Sequence, residues 1–265
     1  MTPTTGIVMR PQSPPEEMRG IVAAASDAGI AELWVWEDCF LQAGVTTAAA
    51  ALAWSEKMRV GIGLLPVPLR NPALLAMELA TLSRTWPGRL SVALGHGVQE
   101  WMAQVGAAVD SPMTLLRETA VAVRDLLSGA TVSDDGRYVH LESVTLQWPP
   151  PVPPGLLLGG RGPRTVRLAG ELADGVLLDA VFDAEGVRRA RTQVDEGHAR
   201  SGRPGRAVVA VYTELDPTPA PGSLAAEVEE RVLGLAQAGA DTVIVQSTAE
   251  QPDPRPLIEA LAAMR

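Results

Sequence analysis

The chain has one cysteine, one lysine, two phenylalanines and two tyrosines. A lone cysteine, Cys39, excludes an intramolecular disulfide and a cysteine-based metal cluster. A lone lysine leaves only Lys57 for Schiff-base chemistry, and it sits in Ser55-Glu56-Lys57, a polar turn that reads as solvated. Positive charge is also short: 22 Lys+Arg face 31 Asp+Glu, a net charge of −9. The basic footprint that nucleic acid requires is therefore missing, and anionic membranes offer no attraction. No apolar run approaches the roughly 18 residues of a membrane span. The opening Met1-Thr2-Pro3-Thr4-Thr5-Gly6 lacks the basic-then-apolar pattern of a signal peptide. The expectation is a soluble cytoplasmic protein with no nucleic-acid or membrane partner.

What is present is apolar mass. Of 265 residues, 46% are hydrophobic and 20% charged, enough for a large core and too little charge for a disordered chain. Arginine and alanine replace lysine and the aromatics, as GC-rich codon usage produces. The length exceeds the usual domain of about 150 residues, but a (β/α) barrel reaches about 250 as one unit.

Short apolar runs alternate with helical patterns. Strands are predicted at residues 6–10, 33–37, 60–65, 90–94, 156–158, 175–178, 208–213 and 242–245. Near-continuous apolar runs suit parallel strands covered on both faces. Helices are predicted at residues 13–28, 46–55, 71–84, 114–127, 162–173, 183–200, 223–238 and 256–264. The first opens on Ser13-Pro14-Pro15-Glu16, a capping-box spacing, and stops at Gly29. Eight strand–helix pairs with right-handed crossovers close naturally into an α/β fold of the (β/α)8 TIM-barrel type. An open doubly wound sheet is the alternative. The reading is one domain over residues 1–265, with a small hairpin insertion at about 130–154. There, Asp134-Asp135-Gly136-Arg137 is the turn, and Pro149–Pro154 gives a stiff lead into the fifth strand.

In such a barrel the chemistry sits at the C-terminal ends of the strands. The most informative of these ends is Gly159-Gly160-Arg161-Gly162-Pro163-Arg164-Thr165. Glycines let a ligand approach the backbone, and the following helix start favours an anion. Arg161 and Arg164 add fork-shaped donors suited to phosphate. The segment is neither a Walker A loop nor a dinucleotide fingerprint. An ordinary strand-to-helix turn is the plain alternative.

Glu37 and Asp38 are adjacent, so strand alternation lets only one face the mouth. That makes them a poor glycosidase pair and better acceptors for a ligand N–H or hydroxyl. Cys39 would need a lowered pKa to act as a nucleophile. His96 lies between Gly95 and Gly97, a permissive place for a ligand-facing ring. With Glu100 it makes a His-x-x-x-Glu spacing, but two residues do not make a metal site, and no metal is expected. His140 and His198 read as structural. Of the six tryptophans, Trp101 is the best pocket wall.

Taken together, the motifs resemble a known family. Gly61-Ile62-Gly63-Leu64-Leu65-Pro66-Val67-Pro68-Leu69-Arg70-Asn71-Pro72, Leu94-Gly95-His96-Gly97, and Gly159-Gly160-Arg161-Gly162-Pro163 with Ala169-Gly170-Glu171-Leu172-Ala173-Asp174-Gly175 are similar to the luciferase-like monooxygenase superfamily. Glu37-Asp38-Cys39-Phe40 falls at its second-strand motif. The resemblance covers nearly the whole chain in order. It implies a (β/α)8 barrel that binds coenzyme F420 or, alternatively, FMN. The acid at the second-strand end and the actinobacterial-type composition favour F420. The resemblance places Gly63 and Leu64 in a bulge behind the deazaflavin ring, often with a non-proline cis peptide. Gly159, Gly160, Arg161 and Gly162 would hold the phosphate, Asp38 would touch the ring region or linker, and Gly95, His96 and Gly97 would line the ring's edge.

The family's sugar-phosphate dehydrogenases carry His at the position of Cys39 and a catalytic Glu at that of Val98, which points away from that activity. The implied function is hydride transfer between F420 and a small organic substrate, with His96, Cys39 or Glu100 handling a proton. Arg161, Arg164 and Arg70 would supply local positive charge. Rival readings are an FMN-dependent reductase or monooxygenase, a non-catalytic flavin or F420 binder, and a phosphate-substrate isomerase or lyase, whose usual lysine is missing. Dimerisation is common in the superfamily, so a homodimer is also implied.

Overall fold

The computed structural model describes residues 3–218 and 223–264. Along the chain the elements run β1 (Thr4–Val8), α1 (Met18–Asp27), β2 (Glu32–Val35), α2 (Gly44–Trp54), β3 (Arg59–Pro66), α3 (Pro72–Thr85), β4 (Leu90–Gly95), α4 (Gln99–Gln104) and α5 (Pro112–Leu127). They continue with β5 (Val132–Asp135), β6 (His140–Val144), β7 (Gly155–Gly159), α6 (Pro163–Leu172), β8 (Gly175–Leu178), α7 (Ala184–Ser201), β9 (Val208–Glu214), α8 (Leu224–Gln237), β10 (Thr242–Gln246) and α9 (Arg255–Ala263). Eight strands form a closed parallel barrel in the order β1-β10-β9-β8-β7-β4-β3-β2. This is the predicted (β/α)8 architecture. Strands β5 and β6 stand apart as an antiparallel pair.

Two apolar clusters hold the barrel. One lies between the strands and the surrounding helices. The other fills the barrel itself with Val8, Trp34, Ala93, Leu157, Leu177, Ala210, Tyr212 and Ile244. Trp34 is the largest of these, and its size dictates its neighbour. A Cβ on Gly61 of β3 would lie 2.2 Å from Trp34 Cδ2. The glycine on β3 therefore makes room for the indole on β2. Trp34 Nε1 donates to Glu32 Oε2 at 2.9 Å, so the buried indole is not left unpaired.

Local signals set most helix ends. Asn71 Oδ1 accepts from Ala73 N at 2.8 Å to cap α3, and Asp183 Oδ1 accepts from Gly186 N at 2.7 Å to cap α7. The capping box expected at Ser13 is not formed. Ser13 Oγ donates instead to the Pro252 carbonyl at 3.3 Å, and the chain enters α1 through a 3₁₀ turn at Pro15–Glu17. The sequence pattern predicts no element at residues 99–104, where α4 forms.

The turn of the β5–β6 pair is pinned from α5. Glu118 accepts the backbone N–H groups of Arg137, Tyr138 and Val139 at 2.9–3.0 Å. Burial pushes the Glu118 carboxyl up, but those three bonds outweigh it and hold the group below its ordinary value.

Candidate active site

A cavity of about 940 Å³ opens at the C-terminal ends of the barrel strands. Its base is built around Leu64. The β3–β4 register shifts between Gly63 and Leu65, so Leu64 bulges out of the ladder. The Gly63-Leu64 peptide is cis, and so is Cys39-Phe40. Leu64 seats over two strand-end glycines: a Cβ on Gly95 or on Gly159 would lie 2.5 Å from Leu64 Cδ2. Both carbonyls of the bulge are occupied. Tyr212 Oη donates to Gly63 O at 2.9 Å, and Glu37 N donates to Leu64 O at 3.2 Å.

Tyr212 is fully buried beneath the cavity, and burial pushes its phenol well above its ordinary pKa, so it remains a neutral donor. It meets Trp34 edge-on at 6.2 Å and Trp36 at 5.6 Å. Arg10 lies 5.4 Å over Trp36. Its Nη1 reaches Glu214 Oε2 and Ser247 O, each at 2.7 Å, and Gln246 Nε2 donates to the same Glu214 oxygen at 2.9 Å. The ends of β1, β9 and β10 are thus tied together beside the cavity.

The opposite wall is barer. Gly159, Gly160, Arg161 and Gly162 line the cavity, and Gly162 precedes α6. Among the described residues, no acceptor meets the backbone N–H of Arg161, Gly162 or Arg164. No atom lies within 4 Å of where a Gly162 Cβ would stand. This is an open, N–H-bearing helix start, the arrangement that binds anions. Arg161 pairs with Asp179 at the rim, and Arg164 is exposed. His96 Nε2 stands 3.2 Å from Thr165 Oγ1 in the first turn of α6. Its Nδ1 is buried without a hydrogen bond of regular geometry, although the Pro112 carbonyl approaches the ring. Burial lowers the His96 pKa below 6.5, against a smaller opposing effect of that carbonyl.

Asp38, Gly63, Leu64, His96 and Gly97 also line the cavity, while Gly95 lies beneath Leu64. Burial raises the Asp38 carboxyl above 3.8, partly offset by the Trp36 indole and the Arg10 charge. Two other residues lie off the cavity. Glu100 is exposed in the first turn of α4. Cys39 is half-buried, and burial together with the Glu37 and Asp38 carboxylates pushes its thiol up, the direction opposite to an activated thiolate.

Two sequence expectations change here. Glu37 and Asp38 both reach the cavity wall, because β2 ends at Val35 and strand alternation no longer applies. Arg70 is not available as positive charge. It forms a two-armed pair with Glu37 and lies 3.3 Å from Glu78, with only 14% of its side chain exposed. Thr165, the last residue of the glycine-rich segment, and Gln246 at the end of β10 also line the cavity, whereas Tyr212 and Trp36 were not singled out by sequence, because no spacing connects residues so far apart. Among the described residues no group of three or more His, Cys, Asp or Glu is placed to hold a metal ion, and no helix is long and apolar enough to cross a membrane.

Fold and site together define a parallel (β/α)8 barrel with a bulged third strand and an open start to α6 on one cavity. The chain belongs to the luciferase-like monooxygenase family, whose model matches residues 1–250. It is 26% identical over 247 residues to the 5,10-methylenetetrahydromethanopterin reductase of Methanolobus tindarius, covering 92% of this chain and 74% of that one. It is 26% identical over 208 residues to the F420-dependent glucose-6-phosphate dehydrogenase of Nakamurella multipartita, covering 69% and 61%. Relatives of this kind are longer: the chain spans 59% and 61% of two further methylenetetrahydromethanopterin reductases. Its fold superposes on the coenzyme F420-dependent tetrahydromethanopterin reductase of Methanopyrus kandleri with a TM-score of 0.81 at 18% identity, covering 99% and 98% of the two chains.

Proposed function

We propose that the protein is an F420-dependent oxidoreductase acting on a small organic substrate. The observation that carries this reading is the pairing of a Leu64 bulge with an unsatisfied helix start across one cavity. F420-dependent relatives of similar sequence support the choice of cofactor. The residues present fit the group. The open N–H groups before α6, with Arg161 and Arg164, suit a phosphate. The bulge at Gly63 and Leu64 suits a flat apolar ring, and His96 lines the same cavity.

When bound, the deazaflavin supplies or accepts a hydride. The rest falls to the chain. Tyr212 fixes the Gly63 carbonyl and so the shape of the bulge. Trp36 and Trp101 give the cavity apolar wall against which a ring can lie. Asp38, whose carboxyl burial raises, can hold a proton within the cavity. His96 lines the cavity, and burial favours its neutral ring. Cys39 and Glu100 lie off the cavity and have weaker standing for proton transfer.

Fluorescence titration of the purified protein with F420 and with FMN tests the reading. Saturable F420 binding at or below about 10–50 μM is expected, the weaker part of ordinary small-ligand affinity, with FMN binding less tightly. No F420 binding in that range would overturn the proposal. Tighter FMN binding would move the protein to the FMN-dependent branch. Arg161→Ala should weaken F420 by about 3- to 10-fold, because an exposed charge contact carries about 1 kcal/mol.

A further inference from the structure

The rim of the cavity indicates what the substrate is. Val98 and Val181 line the cavity yet are 46% and 68% exposed. Trp101, Pro112, Met113 and Ala180 continue that apolar border. Exposed apolar side chains gathered at a cavity mouth are a binding feature rather than packing.

Charge gives the complementary half. The charged residues lining the cavity are Glu37, Asp38, Arg161 and Asp179. Glu37 is neutralised by Arg70, and Asp179 by Arg161. Arg10, behind Trp36, is bound to Glu214. Asp38 is left without an ion-pair partner among the described residues. A phosphate or carboxylate on the substrate would meet Asp38 with no uncommitted guanidinium beside it. An ammonium would meet Asp38 but also the Arg10 charge, which already acts on that carboxylate. Neither sign of charge has a prepared seat.

We infer that the substrate site takes an uncharged molecule with an apolar body and one polar group, the body lying against Val98, Val181, Trp101 and Met113. The polar group would face Asp38, His96 or Gln246. This rests on the reading above that the start of α6 is taken by the cofactor's phosphate. It separates this chain from relatives named for a sugar phosphate.

The test uses ligands that share one tail and differ in charge. Isothermal titration calorimetry of the protein saturated with F420 would compare 2-octanone, sodium octanoate, octylamine and glucose 6-phosphate. 2-Octanone should bind at or below about 5 mM, the weak end of small-ligand affinity, and each charged ligand at least about tenfold more weakly. Val98→Asp and Val181→Asp should each weaken 2-octanone about fivefold or more, with thermal midpoints unchanged because both side chains are solvent-facing. Val181→Ser serves where an aspartate variant folds poorly. Octanoate, octylamine or glucose 6-phosphate binding as tightly as 2-octanone would overturn the inference. So would the absence of any 2-octanone binding, or variants that bind it like the parent. The prior F420 titration keeps the two readings apart. If F420 fails to bind, the cofactor reading falls on its own; the Val98 and Val181 variants titrated with 2-octanone on the protein alone then decide the apolar seat, since charged ligands could enter the open start of α6.

Discussion

The barrel mouth has two unlike halves. Along β9, β10 and β1 the strand ends carry Glu214, Gln246 and Arg10, which bind one another and the Ser247 carbonyl. Along β3, β4 and β7 they carry Leu64, Gly95 and Gly159, and beyond β7 the N–H groups of Arg161, Gly162 and Arg164 meet no acceptor among the described residues. One half is sealed by side chains that satisfy each other. The other is shaped by missing side chains and unmet donors. A ligand gains little where polar groups are already paired and more where desolvated donors wait for an acceptor. The difference gives the cavity a direction: unmet donors toward α6, the Leu64 bulge at its base, and the paired half as the fixed wall.

The sharpest way to break this contrast is to fill the bare half. A methyl added by Gly63→Ala would lie 2.2 Å from Tyr212 Oη and 2.6 Å from Leu177 Cδ2. Both are buried inside the barrel, so overpacking should lower stability by about 3 kcal/mol. In the Tyr212→Phe background the loss should shrink, since the nearest atom is gone. Urea unfolding of the four proteins of that cycle measures both. A loss below about 1 kcal/mol would mean that the inner wall of the bare half is pliable rather than shaped.

Emptying the sealed half should be somewhat milder. Arg10→Met removes a nearly buried guanidinium, leaving Glu214 with Gln246 alone and the Ser247 carbonyl without its side-chain donor. Breaking a buried pair typically loses 3–5 kcal/mol, but the Glu214 side chain is 43% exposed and water recovers part, so about 2 kcal/mol is expected. A change within about 0.5 kcal/mol would show that shape alone seals this side.

Gly162 separates binding from folding. Its φ of −80° and ψ of 147° suit any residue, and a Cβ meets nothing. Gly162→Val should leave stability within about 0.5 kcal/mol yet weaken F420 about tenfold, by crowding the open helix start. Calorimetric melting and F420 titration on the same sample check the pair. Unchanged affinity would remove the start of α6 from the binding site.

The two halves were not equally legible in the sequence. The barrel was: eight apolar runs and their glycine stops are local signals, and Asn71 and Asp183 cap where their positions predict. The bare half was legible too, because a run of glycines is contiguous. The sealed half was not. Arg10 and Glu214 stand 204 residues apart, and Tyr212 and Gly63 stand 149 apart. Arg70 looked like free positive charge because nothing local reveals Glu37, 33 residues away. Ser13 misled for the same reason: its hydroxyl has a better-placed partner in the Pro252 carbonyl, 239 residues on. Periodicity reports which face of an element is buried, whereas polar partners across a barrel are set by closure.

His96 links the halves' chemistry to pH, with the smallest expected effect. It joins the end of β4 to α6 through Thr165, and burial lowers its pKa in the folded protein below 6.5. Between 6.5 and that lower value the unfolded chain binds the proton and the folded chain does not. Unfolding is then favoured by protons, so the stability tied to a neutral His96 is present above 6.5 and is lost as pH falls through the window below it. A His96→Asn variant has no such group. Subtracting its urea-derived stability from that of the parent between about pH 8 and 5, the range in which an ordinary histidine titrates, should give a difference that is flat above 6.5 and declines on the acid side. A pH-independent offset from the lost Thr165 contact does not alter that slope. A difference that stays flat, or that grows as pH falls, would mean that the folded protein protonates the ring as readily as the unfolded chain does, or more readily. The Pro112 carbonyl beside the ring would then outweigh the effect of burial.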